Sequence, residues 1–244
     1  METRAAMRSF PVGFIGNRFR LGGLAACILA ALLAWFLFAG ASDSPAPRKV
    51  RLVPDGDTLI LEDGQLVRLI GINAPEADTP EGPAEPFGIE AREALRGLIS
   101  LGPVVLERDR EQKDRFGRTL AYVFLPDGSM ANERMLAQGL AWALSISPNS
   151  RYTDRLLPVQ QDAMIRAEGL WRAIPSLPGP FVGNARTKRF HDTACPHAQG
   201  ISRKNRFPFQ SLAQAFHQGH APCKSCLHDR IMDAWKASLN LSPK

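Results

Sequence analysis

Four short segments hold the residue types that work on a phosphate or a cation would need. They are Asp55-Gly56-Asp57-Thr58, the run Arg68-Leu69-Ile70-Gly71-Ile72-Asn73-Ala74-Pro75-Glu76, Asp114-Arg115-Phe116-Gly117-Arg118, and Glu168-Gly169-Leu170-Trp171. Their carboxylates can hold a hard cation or orient a water, and their guanidiniums can fork onto a phosphate. Taken singly, none is specific: Asp-Gly is a common turn, a lone arginine is usually solvated, and Pro75-Glu76 can be a plain strand exit. A fifth pattern has a different chemistry. His191 and Cys195 form a His-x3-Cys pair, and Cys223 and Cys226 a Cys-x2-Cys pair. Two close pairs separated by a longer segment have the form of a structural zinc site.

The elements that must position the first four segments follow from apolar patterning. Residues 49–53, 58–62 and 65–72 read as strands, with a hairpin turn at 62–65. Residues 85–101 carry apolar side chains at helical spacing and stop at Gly102-Pro103. Strands are expected at 104–108 and 119–125, followed by a turn at Pro126-Asp127-Gly128. Ser129 is expected to cap a helix running to about Leu144. Thr153 is expected to cap another that ends at Gly169, with Pro158 kinking it a turn inside. Three strands, a helix, two strands and then helices fit a β-rich α+β fold, a five-stranded OB-fold barrel with packed helices.

In order and approximate spacing the four segments resemble the motifs of the thermonuclease (staphylococcal nuclease-like) family, over residues 50–171. The resemblance implies an OB-fold enzyme that hydrolyses DNA and RNA phosphodiesters with calcium. It places Asp57 and Asn73 at calcium-ligand positions, and Ala74 as a ligand through its main-chain carbonyl. Asp55 and Thr58 would stand just behind those ligands. Arg68 and Arg118 would grip the phosphate, and Glu76 would position or deprotonate the attacking water. The residue types agree, since carboxylate, amide oxygen and carbonyl are the hard donors calcium prefers. One position departs from the family, which usually has aspartate where Asn73 stands. Asparagine keeps an oxygen donor and loses a full charge, so weaker calcium binding is expected.

From residue 182 onward the sequence changes character. Residues 182–244 carry 10 basic and 3 acidic side chains, all five histidines and three of the four cysteines. With Asn205-Arg206-Phe207-Pro208-Phe209 between its two ligand pairs, this stretch resembles the small metal-binding module of the Ada DNA-repair protein. There all four ligands are cysteines and the first accepts a methyl group from DNA. Here that position is His191, and imidazole is not a thiolate nucleophile, so methyl transfer is expected to be absent. What the resemblance leaves is a fold-stabilising zinc on His191, Cys195, Cys223 and Cys226, with a basic face for nucleic acid. The alternative is a disulfide among the three cysteines, which an oxidising compartment would favour. His197, His217, His220 and His228 read as surface or minor packing residues.

The N-terminus reads as a targeting segment. Arg18 and Arg20 precede an uncharged apolar run over residues 21–41, long enough to span a bilayer. Basic residues before it predict that the rest is exported. Ala39-Gly40-Ala41 has the small-residue pattern of a signal-peptidase site, so a cleaved signal and an uncleaved anchor both stand. The expected organisation is a basic cytoplasmic region 1–20, the signal or anchor 21–41, a linker 42–48, the nuclease-like domain 49–174, a linker 175–181, a zinc-binding α/β module 182–230 and a tail 231–244. The protein is expected to be monomeric, with DNA and RNA as partners and the membrane as a third if residues 21–41 are retained. Its domains would lie in the periplasm, outside the cell or on the outer face of the inner membrane. The net charge of +6 agrees with an anionic partner. The competing function is a catalytically inactive nucleic-acid-binding protein at the membrane surface. Retention of Glu76, Arg68 and Arg118 argues against it, because a pure binder has no need of that trio.

Overall fold

The computed structural model describes residues 46–77, 84–175, 177 and 179–238. The apolar run 21–41 lies outside them. Among the described residues no helix is long and apolar enough to cross a membrane.

The first half builds a five-stranded sheet in the order β1-β2-β3-β6-β5, from β1 (Val50–Asp55), β2 (Thr58–Leu61), β3 (Leu66–Leu69), β5 (Val105–Glu107) and β6 (Thr119–Phe124). Neighbours are antiparallel except β3 and β6, which run parallel. The five expected strands are therefore present, but no continuous ladder closes them into a barrel. The outer edges meet at one bridge, where Arg48 and Val104 exchange backbone hydrogen bonds of 2.7 and 2.8 Å. Val53, Leu59, Leu61, Val67, Leu69, Ala121 and Val123 fill the interior.

Three expected elements are different. The third strand does not run unbroken to Ile72. Gly71 takes a left-handed φ of 82°, a conformation that glycine adopts at no steric cost. The chain leaves the sheet there, and β4 (Gly71–Asn73) pairs instead with β7 (Trp142–Leu144). Residues 142–144 are thus a strand, not the end of a helix. That helix, α2 (Ala131–Ala137), is short, and its cap position is Met130, one residue past Ser129, whose hydroxyl donates to Asp127 Oδ1 at 2.6 Å. Thr153 does not cap α3 (Thr153–Ile165) either; its hydroxyl bonds Ser145 Oγ at 2.9 Å. α3 ends at Ile165, and a separate 3-10 turn spans Gly169–Ala173. The helix expected at 85–101 is α1 (Gly88–Ile99), packed on β1.

The second half adds a four-stranded sheet in the order β10-β8-β9-β11, from β8 (Phe181–Asn184), β9 (Arg189–Asp192), β10 (Arg206–Phe209) and β11 (Ala221–Pro222). Its helices are α4 (Pro196–Gln199), α5 (Leu212–His217) and α6 (His228–Ser238). Residues 231–238, expected as tail, belong to α6 and bury Ile231, Met232 and Trp235. The compositional shift near residue 182 is not a break in packing. Trp235 stacks on Trp142 at 6.3 Å between ring centroids, and Phe216 meets Trp171 at 5.3 Å. The Trp235 indole N–H donates to the Leu170 carbonyl. Buried Gln160 accepts from Ala143 N–H and donates to the Phe216 carbonyl, both at 2.6 Å. Cutting the chain after Pro180 would therefore expose Trp142 and Trp171 rather than release an intact first half.

Gly88 fixes how closely α1 approaches the loop that follows β4. A Cβ there would stand 2.0 Å from the Glu76 carbonyl oxygen. Gly88→Ala must push the Glu76 segment away, and overpacking of this kind costs about 1–3 kcal/mol. Denaturation midpoints of the two proteins measure it; an unchanged midpoint would mean the loop yields freely.

Candidate functional site

The carboxylate of Asp57 is the node of the first site. It sits in the β1–β2 turn and is 6% exposed. Oδ1 accepts from the Thr58 hydroxyl at 3.1 Å, while Oδ2 accepts from Ala74 N–H at 2.8 Å and pairs with an Arg68 guanidinium nitrogen at 2.8 Å. The ladder explains the meeting, since β2–β3 register sets Arg68 opposite Thr58. Arg68 also donates to the Leu69 carbonyl at 2.7 Å and to Asn73 Oδ1 at 3.0 Å. Arginine has no acceptor, so the Asn73 amide must turn its oxygen to Arg68. Its Nδ2 then faces the Ala74 carbonyl, at 3.1 Å. One buried carboxylate thus organises Thr58, Arg68, Asn73 and Ala74.

Asp55, Glu76 and Arg118 lie around this node. Burial, reinforced by the like charges of Asp57 and Glu76, pushes the Asp55 carboxyl up to about 6, against the pull of Arg68 and Arg118. Glu76 is also raised, first by burial and then by Asp57 and Glu85, while Lys224 and Arg68 oppose the shift. Arg118 is held by Asp114, whose Oδ2 takes its Nε–H at 2.7 Å, and it lies over the exposed Phe116 ring. The structure therefore brings Asp55, Asp57, Thr58, Arg68, Asn73, Ala74, Glu76 and Arg118 into one electrostatic neighbourhood. The arrangement is a crowd of oxygen donors faced by two guanidiniums.

Three further participants carry no signal in the sequence. Glu85 accepts from Glu76 N–H at 2.9 Å, and Glu85 N–H donates back to the Glu76 carbonyl at 2.9 Å. The other Glu85 oxygen takes a 2.6 Å bond from His228 Nε2. Burial works against the charge on Glu85, but the bonds from His228 and Glu76 prevail and hold its carboxyl below the usual range. A carboxylate accepts only, so Nε2 of His228 carries the hydrogen. His228 thus hydrogen-bonds beside Glu76 as well as lying near the Trp142 ring, and Lys224 is the third. His228 and Glu85 are 143 positions apart, so no local spacing could have revealed the pair. His220, by contrast, is a packing residue, buried between the rings of Phe207 and Phe209.

The second site gathers His191 from β9, Cys195 at the start of α4, and Cys223 and Cys226 after β11. Their ligand atoms all lie within 4.8 Å of one another, and the Cys195 sulfur is 3.7 Å from His191 Nδ1. The three thiols are not joined in a disulfide. Val182, Ala198 and Ile201 pack around them as a small core. Burial, with His197 and Arg189 nearby, lowers the His191 pKa and so favours the neutral imidazole.

Known proteins resemble the first half of this chain. The family model described as staphylococcal nuclease homologue matches residues 66–173. The thermonuclease of Staphylococcus hyicus is 40% identical over 126 residues, covering 50% of this chain and 74% of that protein. The thermonuclease of Staphylococcus intermedius is 41% identical over 125 residues, with the same coverage of each chain. Endonuclease YncB of Bacillus subtilis (strain 168) is 32% identical over 122 residues, 48% of this chain and 57% of that protein. On these matches the chain belongs to the staphylococcal nuclease (thermonuclease) family and is a nuclease, a hydrolase of nucleic acids.

Proposed function

We propose that this chain is an exported, calcium-dependent nuclease that cleaves DNA and RNA by in-line attack of water on the phosphodiester. The observation that carries the reading is the gathering of Asp55, Asp57 and Glu76 beside Arg68 and Arg118, where burial first and then the like charges raise the Asp55 carboxyl to about 6. Such a donor set is of the hard oxygen type that calcium takes, and a cation there would relieve the crowding. Asp57, Asn73 and the Ala74 carbonyl would hold it, with Asp55 and Thr58 behind. When bound, the ion supplies Lewis-acid polarisation of a phosphoryl oxygen.

The rest of the mechanism belongs to the chain itself. Arg68 and Arg118 present guanidiniums to the phosphate, where the equatorial oxygens gain charge in the transition state. Glu76 orients the water and accepts its proton, and a carboxyl raised above its ordinary value is a better base near neutral pH. Glu85, braced by His228, holds the Glu76 backbone and so aims that carboxylate. Export rests on the apolar run 21–41 behind Arg18 and Arg20, as a cleaved signal or an anchor. In the second site, His191, Cys195, Cys223 and Cys226 form a Cys3His set whose softness and spread suit one tetrahedral zinc with a structural role.

Four outcomes test the reading. Single-stranded DNA and RNA should be degraded with millimolar calcium and spared with chelator. Asn73→Asp should bind calcium more tightly, because it adds a charge and removes the amide donor that now occupies the Ala74 carbonyl. Cleavage that survives chelation, or weaker calcium binding by Asn73→Asp, would reject the calcium site. Arg68→Lys and Arg118→Lys should each lose on the order of a hundredfold in rate, since lysine cannot fork onto phosphate. Near-normal rates in both would reject the clamp. Elemental analysis of the purified chain should find one zinc, released together with titratable thiols by chelator; a metal-free protein with a Cys223–Cys226 disulfide and native spectra would overturn the zinc assignment.

A further inference from the structure

An open cavity of about 550 Å³ lies beside the zinc-type cluster. The β8–β9 turn, with Arg186 and Thr187, walls one side, and Lys224 and Ser225 wall another. Its charged lining residues are Arg186, Arg189 and Lys224, and no carboxylate lines it. Among the described residues none of the three has a carboxylate within ion-pair distance, whereas Arg68 and Arg118 of the first site are each paired. Arg189 is anchored by a 2.9 Å bond to the Pro222 carbonyl, while Arg186 and Lys224 are exposed.

The cavity is tied to the nuclease site through its wall: Lys224 lies in the turn before α6, whose first residue, His228, bonds Glu85 at 2.6 Å, and Glu85 in turn accepts from the Glu76 N–H at 2.9 Å. Like charges set around a cleft with no carboxylate in its lining cost free energy that an anion recovers. An anion reaching from Arg68 toward Arg189, Lys224 and Arg186 must carry repeated charge along its length.

Resting on the nuclease reading above, we propose that this cavity is a subsite for the substrate strand, taking backbone phosphates of single-stranded nucleic acid beyond the bond that is cut. Arg189 and Lys224 take the phosphate nearest the nuclease site and Arg186 the next. Recognition by charge alone makes the subsite indifferent to base sequence. It also gives the basic second half of the chain a direct part in substrate binding.

The test uses the full chain with Arg186→Ala and Lys224→Ala combined, both on exposed side chains, and Arg166→Ala as a single-charge control away from the cavity lining. Binding of a labelled 20-nucleotide single strand is read by fluorescence anisotropy without added calcium, where a calcium enzyme does not cut and a zinc at the cluster stays in place. The double variant should bind roughly tenfold more weakly, and the slope of log affinity against log salt should become shallower by about 0.7 for each phosphate that is no longer neutralised. Rates with calcium added should fall more on the 20-mer than on a 4-mer. Unchanged affinity and salt slope, or the same loss in the Arg166 control, would overturn the subsite. Weakened binding of inorganic phosphate with unchanged strand affinity would place only the free ion there and would also overturn it. A strand that binds normally but is never cut by the wild-type chain would count against the nuclease reading instead.

Discussion

A single buried carboxylate sets the geometry of the nuclease site. Asp57 is removed from water, and a charge so placed is tolerated only when it is paired and hydrogen-bonded. The chain meets that requirement with Thr58 on one oxygen and Arg68 plus the Ala74 N–H on the other. Each partner comes from a different stretch of backbone: the start of β2, the middle of β3 and the exit of β4. Satisfying one charge therefore pins three segments, and those segments carry the oxygen donors and one of the two guanidiniums. Replacing Arg68 would also leave Asp57 short of a partner in a low-dielectric site, so the arginine serves the fold besides the phosphate role proposed for it.

The second half of the chain serves the same geometry from outside the family match. Its aromatic side chains Phe216 and Trp235 complete the core over Trp142 and Trp171, and Trp142 sits on the strand that pairs with Asn73. The first turn of α6 adds His228, which reaches Glu85 and through it the backbone of Glu76. Anything that disturbs the His191, Cys195, Cys223 and Cys226 cluster acts close to Lys224 in sequence and space, and two residues from His228. The zinc-type cluster and the nuclease site are thus mechanically linked by a few residues.

Much of the site is legible in residue types and spacing. The Asp55–Thr58, Arg68–Glu76 and Arg118 segments lie together, and the two ligand pairs, 28 residues apart between Cys195 and Cys223, converge to within 4.8 Å. Both depend on residue type and local spacing, which a sequence displays. The break at Gly71 is less visible, because Ile70 and Ile72 continue the apolar pattern of β3 across it. Residues 142–144 read as helix from their pattern, since Trp-Ala-Leu has no alternation and owes its strand form to pairing with β4. The Glu85–His228 pair and the common core exist only in three dimensions. A compositional boundary reports a change in amino-acid usage, and here the packing crosses it.

The central claim is that Asp57 and the Ala74 carbonyl meet the metal while Arg68 and Arg118 meet the phosphate. A crystal structure of the chain with calcium and an uncleavable single-stranded oligonucleotide tests it most directly. The account predicts one calcium on Asp57 and the Ala74 carbonyl, with both arginines on a single phosphate and Glu76 facing it. Calcium bound away from Asp57, or a phosphate out of reach of both arginines, would contradict it.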